Sequence, residues 1–416
     1  MPDITTPVTI DGYTQSGTQP NTNAQAFNAQ ICVGLTQIGS APVGLHAVAG
    51  SQLVVRGLWF GSFTGSGAAA IRFTAGTGHV VEGVQFSGVL PNATTINGNL
   101  RNVLISGGND LRIGGPAIGQ RNLISGAQQQ GIAISNAGFG AGVVIQNNLI
   151  GTNADRSAVD GNGGAGISVS NSGGVDILGN VINGNDGNGV SISSSSLGVV
   201  IRDNEIGRPL QGNQGHGVYV GGGSFSVVIG GSESVNAGGN QIRSNGGAGV
   251  WVADGDAVRI RGNGFDDNTL LGIDLGTAGM TPNDPGDGDT GANDLQNYPV
   301  LTAAGLLGQQ LSLSGTLASG ANAQYVIDFY LRDLCDASGH GEGARYLGHL
   351  EVSSNGSGQA SFSHSIDLPN GVAEVGDVVT ATATRQGPTN IGDTSEFSAC
   401  LAIAPTTDLV FADSFD

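Results

Sequence analysis

From the start of the chain to about residue 300, apolar and polar residues alternate in short runs that glycine or asparagine separates. An alternation of period two predicts strands, because successive side chains of a strand point to opposite faces. The glycine before each run predicts a bend that a Cβ atom would obstruct. One run recurs as Gly-[Ile/Val]-x-[Ile/Val/Leu], beginning at Gly131, Gly166, Gly189, Gly217, Gly249 and Gly272.

A second repeated signal is Asn-x-Ile, with a weaker copy at Asn263. The good copies begin at Asn122, Asn148, Asn180, Asn204 and Asn240. Spacings of 23 to 36 residues predict a solenoid, and the leucine ladder of leucine-rich repeats is missing. The pattern therefore predicts a right-handed parallel β-helix, in which each unit is one coil of two or three strands. We expect the asparagines to form an internal ladder, with amides bonded to their copies in adjacent coils.

The repeats stop near residue 300, and six alternating runs of strand length follow. They predict a small β-sandwich over residues 301–404, after a β-helix over 1–300 and before a tail over 405–416. Cys335 and Cys400 lie in the sandwich region and would suit one disulfide in an exported protein, with Cys32 free. The alternative is that the first two thiols are unpaired.

Composition narrows the class of protein. Glycine fills 74 of 416 positions and charged residues make up only 11%, which is typical of a turn-dense β protein and unlike disorder or collagen. The net charge is −19, and every basic residue is arginine. Such a surface disfavours nucleic acid, and it disfavours polyanionic glycans unless cations bridge the two. No run is long and apolar enough to span a membrane.

Several segments of the chain resemble those of a known group of proteins, among them "PVTIDGYTQSGTQPNT" (7–22), "NNLIGTNADRSAVDGNGGAGISV" (147–169) and "TPNDPGDGDTGANDLQNYPVLT" (281–302). The group consists of bacterial right-handed parallel β-helix repeat proteins of the pectate-lyase-like superfold. The sandwich region is similar to the immunoglobulin-like module that follows the helix in that group. The resemblance implies a secreted or cell-surface protein. It says hardly anything about a specific activity. The opening residues carry no visible leader, which leaves the export of this sequence open.

The stretch "GNQGHGVYVGG" (212–222) places His216 between two glycines, as in the active-site rung of polygalacturonase-like enzymes. Inverting hydrolysis also needs two carboxylates about 6.5–9.5 Å apart, and only Asp186 is suitably placed. Arg259 and Arg261 complete the hydrolase candidates, and Arg202 joins these arginines as a candidate proton abstractor in a lyase.

The slot that His216 fills varies from coil to coil, with Ala165, Asn188 and Ala248 at the equivalent positions. The glycine frame is thus explained by the coil alone, and we predict that His216 is a repeat variant and not a catalytic residue.

Two other sets of residues predict binding. Tyr219 and Trp251 occupy the same x slot of successive strands, so with His216 they form a candidate glycan-binding face. The alternative is that the rings pack under a loop.

The acidic loop before residue 295 suits Ca²⁺. The alternative is that it is a solvated linker. Its candidate ligands are Asp284, Asp287, Asp289 and Asp294.

These observations favour an extracellular or cell-surface protein that binds a polysaccharide or another surface component without catalysis. One alternative is a hydrolase or lyase that acts on an acidic glycan. The other is a structural fibre or stalk component. The sequence leaves the ligand and the oligomeric state open.

Overall fold

The computed structural model describes residues 2–37, 39, 42–89, 95–140, 142–231, 238–387 and 392–405. They form an all-β protein, a right-handed parallel β-helix followed by a small β-sandwich, as predicted. Helical structure in these residues is limited to the 3₁₀ segments Gly12–Thr14, Ile118–Gln120 and Ala292–Leu295. Apart from its first residue, the predicted tail 405–416 lies outside the described residues.

Three parallel sheets run along the β-helix, and a complete coil contributes one strand to each. Sheet A consists of Val43–Ala47, Ala69–Phe73, Val103–Ile105, Ile132–Ser135, Ile167–Ser170, Val190–Ser193, Val218–Val220, Val250–Val252 and Ile273–Leu275. Sheet B consists of Val8–Asp11, Leu53–Arg56, Thr77–Glu82, Asn109–Gly114, Val143–Gln146, Val175–Leu178, Val200–Arg202, Ser224–Gly230 and Gly255–Arg261. Sheet C consists of Leu123–Ile124, Leu149–Ile150, Val181–Ile182, Glu205–Ile206, Gln241–Arg243 and Gly264–Asp266.

Two small pairings lie outside these sheets, near the N-terminal end of the helix. Val33–Thr36 pairs in parallel with Leu58–Gly61, and Gly88–Val89 pairs antiparallel with Thr95–Ile96.

The sheet register stacks like residues on like and so builds the core. In sheet A, Ile132 pairs with Ile167, which pairs with Val190, and all three are fully buried. Because strands of neighbouring coils are in register, each inward Ile or Val packs between its copies above and below. The repeat glycines permit this close stacking: a Cβ on Gly217 would lie 2.6 Å from the carbonyl oxygen of Gly249.

The asparagines of the Asn-x-Ile signal are buried and stacked along the axis between sheets B and C. Asn148 Nδ2 donates to Asn180 Oδ1 at 2.9 Å, and Asn180 Nδ2 donates to Asn204 Oδ1 at 3.0 Å. Each amide also satisfies a main-chain group, as when Asn180 Nδ2 donates to the carbonyl of Ile145. The same pattern begins at Asn122 and ends at Asn263.

A second asparagine column, which the Asn-x-Ile signal does not predict, lies between sheets C and A. Its members stand four positions before a repeat glycine, which is the signal that could have revealed them. They are Asn162, Asn185, Asn213, Asn245 and Asn268, with Nδ2–Oδ1 bonds of 2.8 to 2.9 Å between successive members. After the last member the column is continued by Glu342 of the sandwich, whose Oε1 accepts from Asn268 Nδ2 at 2.6 Å.

The sandwich consists of two antiparallel sheets that cover the C-terminal end of the β-helix. One sheet contains Gln359–Asp367, Gln310–Ala318, Val300–Leu307 and, in parallel with the last of these, Ala404–Pro405. The other contains Arg345–Ser353, Gln324–Arg332, Val378–Arg385 and Leu401–Ala402. A disulfide joins Cys335 to Cys400, and Cys32 is free and exposed.

Buried contacts join the sandwich to the last coil of the helix. Arg261 of sheet B pairs with Asp328 of the sandwich through Nε at 2.7 Å and Nη2 at 2.9 Å. The rings of Phe265 and Phe397 meet edge to face with centroids 5.4 Å apart. Phe397 thereby extends the apolar core of the helix into the sandwich.

Candidate functional site

The outward positions of sheet A form a continuous column parallel to the helix axis. Because paired residues of adjacent coils lie directly side by side, these side chains share one surface line. In chain order the column is His46, Arg72, Leu104, Ala133, Ser168, Ser191, Tyr219, Trp251 and Asp274.

The middle of this face is rich in hydroxyl groups. Ser168 and Ser191 lie in the column itself, and Ser135, Ser170 and Ser193 form a second column two positions further along each strand. All five are partly exposed. Since serine is small and both donates and accepts hydrogen bonds, this surface offers polar contacts without blocking a ligand that lies along it.

Tyr219, Trp251 and His216 form an aromatic cluster at the C-terminal end of this face. The centroids of the His216 and Trp251 rings are 4.7 Å apart, and those of Tyr219 and Trp251 are 5.6 Å apart. All three residues are partly exposed. The structure therefore brings together the three residues that the sequence predicted to share a binding face.

Hydrogen bonds hold two of the rings in place. His216 Nδ1 accepts from the main-chain N–H of Ala248 at 2.9 Å, and Trp251 Nε1 donates to the carbonyl of Gly276 at 3.0 Å. Burial lowers the pKa of His216 below its ordinary value. The histidine is therefore neutral at pH 7, and its accepting Nδ1 assigns the proton to Nε2.

A loop closes the face beyond Trp251. Asp274, the next residue of the column, is 1% exposed, and both its carboxylate oxygens accept from the N–H of Gly279 at 3.2 Å. Glu396 of the sandwich fixes the same loop by accepting from the N–H of Thr281 at 2.8 Å. These two carboxylates are buried and support the loop, and they do not belong to the exposed part of the face.

The structure separates the residues of the hydrolase hypothesis. Arg259 lies on sheet B, away from the outer face of sheet A beside His216. Arg261 is 5% exposed and paired with Asp328, so its role is in the junction and its candidacy as a catalytic residue is wrong. Asp186 is exposed, and no carboxylate in the described part of the chain contributes to the pKa of His216.

The remaining lyase candidate, Arg202, also lies on sheet B, where it ends a strand and its Nε donates to the carbonyl of Gly230 at 3.1 Å.

Three of the four predicted calcium ligands come together in the acidic loop. Asp284, Asp287 and Asp289 each offer an oxygen, and these oxygens lie within 4.8 Å of one another. Burial, followed by the charge of Asp284, raises the pKa of Asp289. Crowded carboxylates repel one another, and a divalent ion would relieve that repulsion.

Asp294, the fourth predicted ligand, lies outside this group. It is exposed in the 3₁₀ segment Ala292–Leu295, and its charge raises the pKa of Asp256, Asp289 and Asp393. Asp294 is therefore close enough to act on the group electrostatically, but it is not one of the three residues whose oxygens converge.

Calcium at millimolar concentration is expected to raise the melting temperature of the protein relative to the same protein in chelator, because the ion neutralises Asp284, Asp287 and Asp289. The double substitution Asp287→Asn/Asp289→Asn is expected to remove this shift. Asp294→Asn is the matched control and should keep it. Equal melting curves of the wild type in calcium and in chelator would rule out the site.

No family model matches this chain. Two solved structures are similar to it, each at 13% identity: the enzymatically active domain of bacteriophage CBA120 tailspike protein 2, and full-length tailspike protein 2 from Escherichia coli O157:H7 bacteriophage CAB120. The matches cover 89% and 88% of this chain and 63% and 60% of those proteins, with TM-scores of 0.30 and 0.35. The chain thus spans about three-fifths of their length, and a likeness this distant carries no argument about activity.

Among the residues that the structure describes, no helix has the length and apolar character needed to cross a membrane.

Proposed function

We propose that this chain is an extracellular or cell-surface protein that binds a polysaccharide through the outer face of sheet A, without cleaving it. The observation that carries the proposal is the cluster of His216, Tyr219 and Trp251 at the end of a serine-lined surface. Aromatic rings bury large areas, and Tyr and Trp combine an apolar body with a polar tip, which suits the apolar face and hydroxyl rim of a sugar ring.

The rigidity of the cluster also supports binding. Tyr219 and Trp251 project from paired strands, and Trp251 is tied to Gly276. Binding to rings that are already ordered costs less side-chain entropy than binding to rings that the ligand must first order. The neutral, partly buried His216 adds a ring edge and an Nε2 donor to the same surface.

Hydrolysis and elimination have less support from this geometry. Glycoside hydrolysis requires an acid and a second carboxylate on opposite sides of the scissile bond. Asp274, which pairs with Trp251 in sheet A, and Glu396 are both buried in hydrogen bonds to loop amides. A purely structural stalk would give no reason for exposed aromatic residues to cluster on one face.

Trp251→Ala and Tyr219→Ala are each expected to weaken polysaccharide binding by at least about tenfold, because large aromatic residues at the centre of an interface are its usual hot spots. Binding would be measured by biolayer interferometry against an immobilised panel of bacterial capsular and exopolysaccharides. Phe225→Ala is the matched control: Phe225 is 44% exposed but lies on sheet B, so its loss should leave binding unchanged.

Two results would contradict the proposal. One is that no polysaccharide of the panel binds the wild type. The other is turnover of polygalacturonate or a related glycan, read as reducing ends or unsaturated products, that His216→Ala abolishes.

A further inference from the structure

The face that carries the aromatic cluster continues towards the N-terminal end of the helix. From Tyr219 the column passes Ser191, Ser168, Ala133 and Leu104 before it reaches Arg72, which makes five steps from coil to coil. At ~4.8 Å per step, the open surface between the aromatic cluster and Arg72 is about 24 Å long. None of the intervening side chains is larger than leucine, so an extended chain could lie along it.

Arg72 stands next to a second arginine at this distant end. Arg101 lies three residues before Leu104, the residue that pairs with Arg72, and both arginines are partly exposed. The carbonyl of Arg101 accepts from the N–H of Ala70, two residues before Arg72, at 3.1 Å, so the two arginines lie on neighbouring coils. Burial and then the positive charge of Arg72 lower the pKa of Arg101, which agrees with this proximity. Arg101 is oriented by Gln130, whose Oε1 accepts from its Nε at 3.1 Å.

No carboxylate neutralises this pair in the described part of the chain. Neither arginine belongs to an ion pair there, and the Nε of Arg72 is buried without a hydrogen-bond partner. Asp3, which lies by the next coil, is already held by His46 Nδ1 at 2.8 Å.

The geometry points to a second subsite at Arg72 and Arg101 that binds an oxyanion substituent, a carboxylate or a phosphate, on the same glycan that stacks on Tyr219 and Trp251. This inference rests on the proposed glycan-binding function. Guanidinium groups match such oxyanions with two parallel hydrogen bonds, and because the Nε of Arg72 is buried and that of Arg101 donates to Gln130, the Nη groups are the donors that this match would use.

The charge of the whole protein limits how acidic this ligand is. A net charge of −19 repels a polymer with an acid group on every sugar, since the field of the protein acts over the entire chain. A glycan with widely spaced acid groups avoids most of that repulsion and still satisfies the arginine pair. The ligand class is therefore a sparsely charged acidic polysaccharide, and not a polyuronide.

The test compares native polysaccharides with chemically neutralised forms of themselves. The probes are gellan and xanthan, which carry spaced uronic acids, the capsular and exopolysaccharides of the panel above, and polygalacturonate. Each is presented native, carboxyl-reduced and dephosphorylated, so that loss of binding identifies the acid group. The protein variants are Arg72→Gln/Arg101→Gln, Arg72→Lys/Arg101→Lys, Trp251→Ala, and the control Arg345→Gln on the exposed sandwich surface, all first checked for wild-type melting.

We expect at least one sparsely charged polysaccharide to bind the wild type, and neutralisation of its acid groups to weaken binding by about tenfold or more. The double glutamine variant should bind native and neutralised forms equally, and the double lysine variant should recover only part of the preference because lysine cannot bind in the bidentate manner. Arg345→Gln should behave as the wild type does.

The two proposals fail in different ways. Binding that Trp251→Ala abolishes, but that neither neutralisation nor the arginine substitutions alter, would overturn the oxyanion subsite and leave the glycan-binding function standing. Tightest binding of polygalacturonate would overturn the sparse-charge inference. Absence of binding by every probe would contradict the proposed function itself.

Discussion

Replacing Arg261 by methionine is expected to lower the free energy of unfolding by about 3–5 kcal/mol, the usual cost of leaving one partner of a buried ion pair uncompensated. Asp328 is 0% exposed, and without the guanidinium group its one remaining bond to the described residues would be that from the Tyr346 hydroxyl at 3.0 Å. Urea denaturation followed by tryptophan fluorescence and far-UV circular dichroism measures the effect. Because this pair joins the sandwich to the helix, we also expect the two parts to unfold at separate urea concentrations.

Two further variants make this prediction specific. Arg345→Met removes an exposed arginine of the sandwich and should change the stability little. Arg261→Met/Asp328→Leu removes both buried charges and should recover much of the lost stability, because apolar replacements of similar volume often match a buried pair. A single transition at wild-type urea concentration in Arg261→Met would show that the pair does not stabilise the junction.

Stability is expected to fall as the pH rises from about 5 to about 8, because two junction glutamates have raised pKa values. Burial raises the pKa of Glu342 from 4.5 to about 7, and burial likewise raises the pKa of Glu396 to about 7. The folded state therefore binds protons more tightly than the unfolded state does. The stabilisation is complete below the unfolded pKa and is lost as the pH passes through the folded pKa, on the order of 3 kcal/mol for each group.

The measurement is the melting temperature across this pH range for the wild type and for Glu342→Gln/Glu396→Gln, which should show a flatter dependence. Glu351→Gln, at an exposed position of the sandwich, is the control and should keep the wild-type slope. Burial also raises the pKa of Asp274 and Asp393, so the double variant should retain part of the dependence. A wild-type melting temperature that rises steadily from pH 5 to pH 8 would refute the prediction.

The junction gives the sandwich a definite structural role. A β-helix ends in an asparagine column whose last amide and main-chain N–H lack the acceptor that the next coil would supply. Glu342 supplies it, by accepting from the Nδ2 and the main-chain N–H of Asn268. Since buried polar groups without partners cost about 1–3 kcal/mol each, the sandwich completes the helix rather than merely following it.

The coil repeat could be read from the sequence because it is a local signal. A period of two within each run and a recurring Asn-x-Ile are visible without knowledge of the fold, and both follow directly from stacking. The same reasoning placed Tyr219 and Trp251 side by side, since residues in equivalent slots of adjacent coils must be neighbours. The second asparagine column is equally local, four positions before each repeat glycine, but it lacks the following isoleucine that makes the first column conspicuous.

The parts that the sequence left open depend on contacts between different kinds of element. Nothing in the sequence around Arg261 indicates that its partner is Asp328, which lies 67 residues further along the chain in the sandwich. In the same way, Asp294 belongs to the acidic stretch of the sequence, yet only Asp284, Asp287 and Asp289 bring their oxygens together in the described part of the chain. Such features arise where the repeat ends, so the repeat cannot predict them.

By itself the sequence determined the β-helix, its inward columns and the shared slot of the aromatic residues, because a repeating unit can bury its apolar face only against copies of itself. Only the tertiary structure decided which sheets carry the candidate residues, and so separated Arg259 from His216. It also brought Arg72 and Arg101 together, and it closed the last coil with Glu342 and Asp328. The physical reason is that loops of unequal length set the register between coils, and the end of a solenoid is covered by whatever surface fits its unpaired groups.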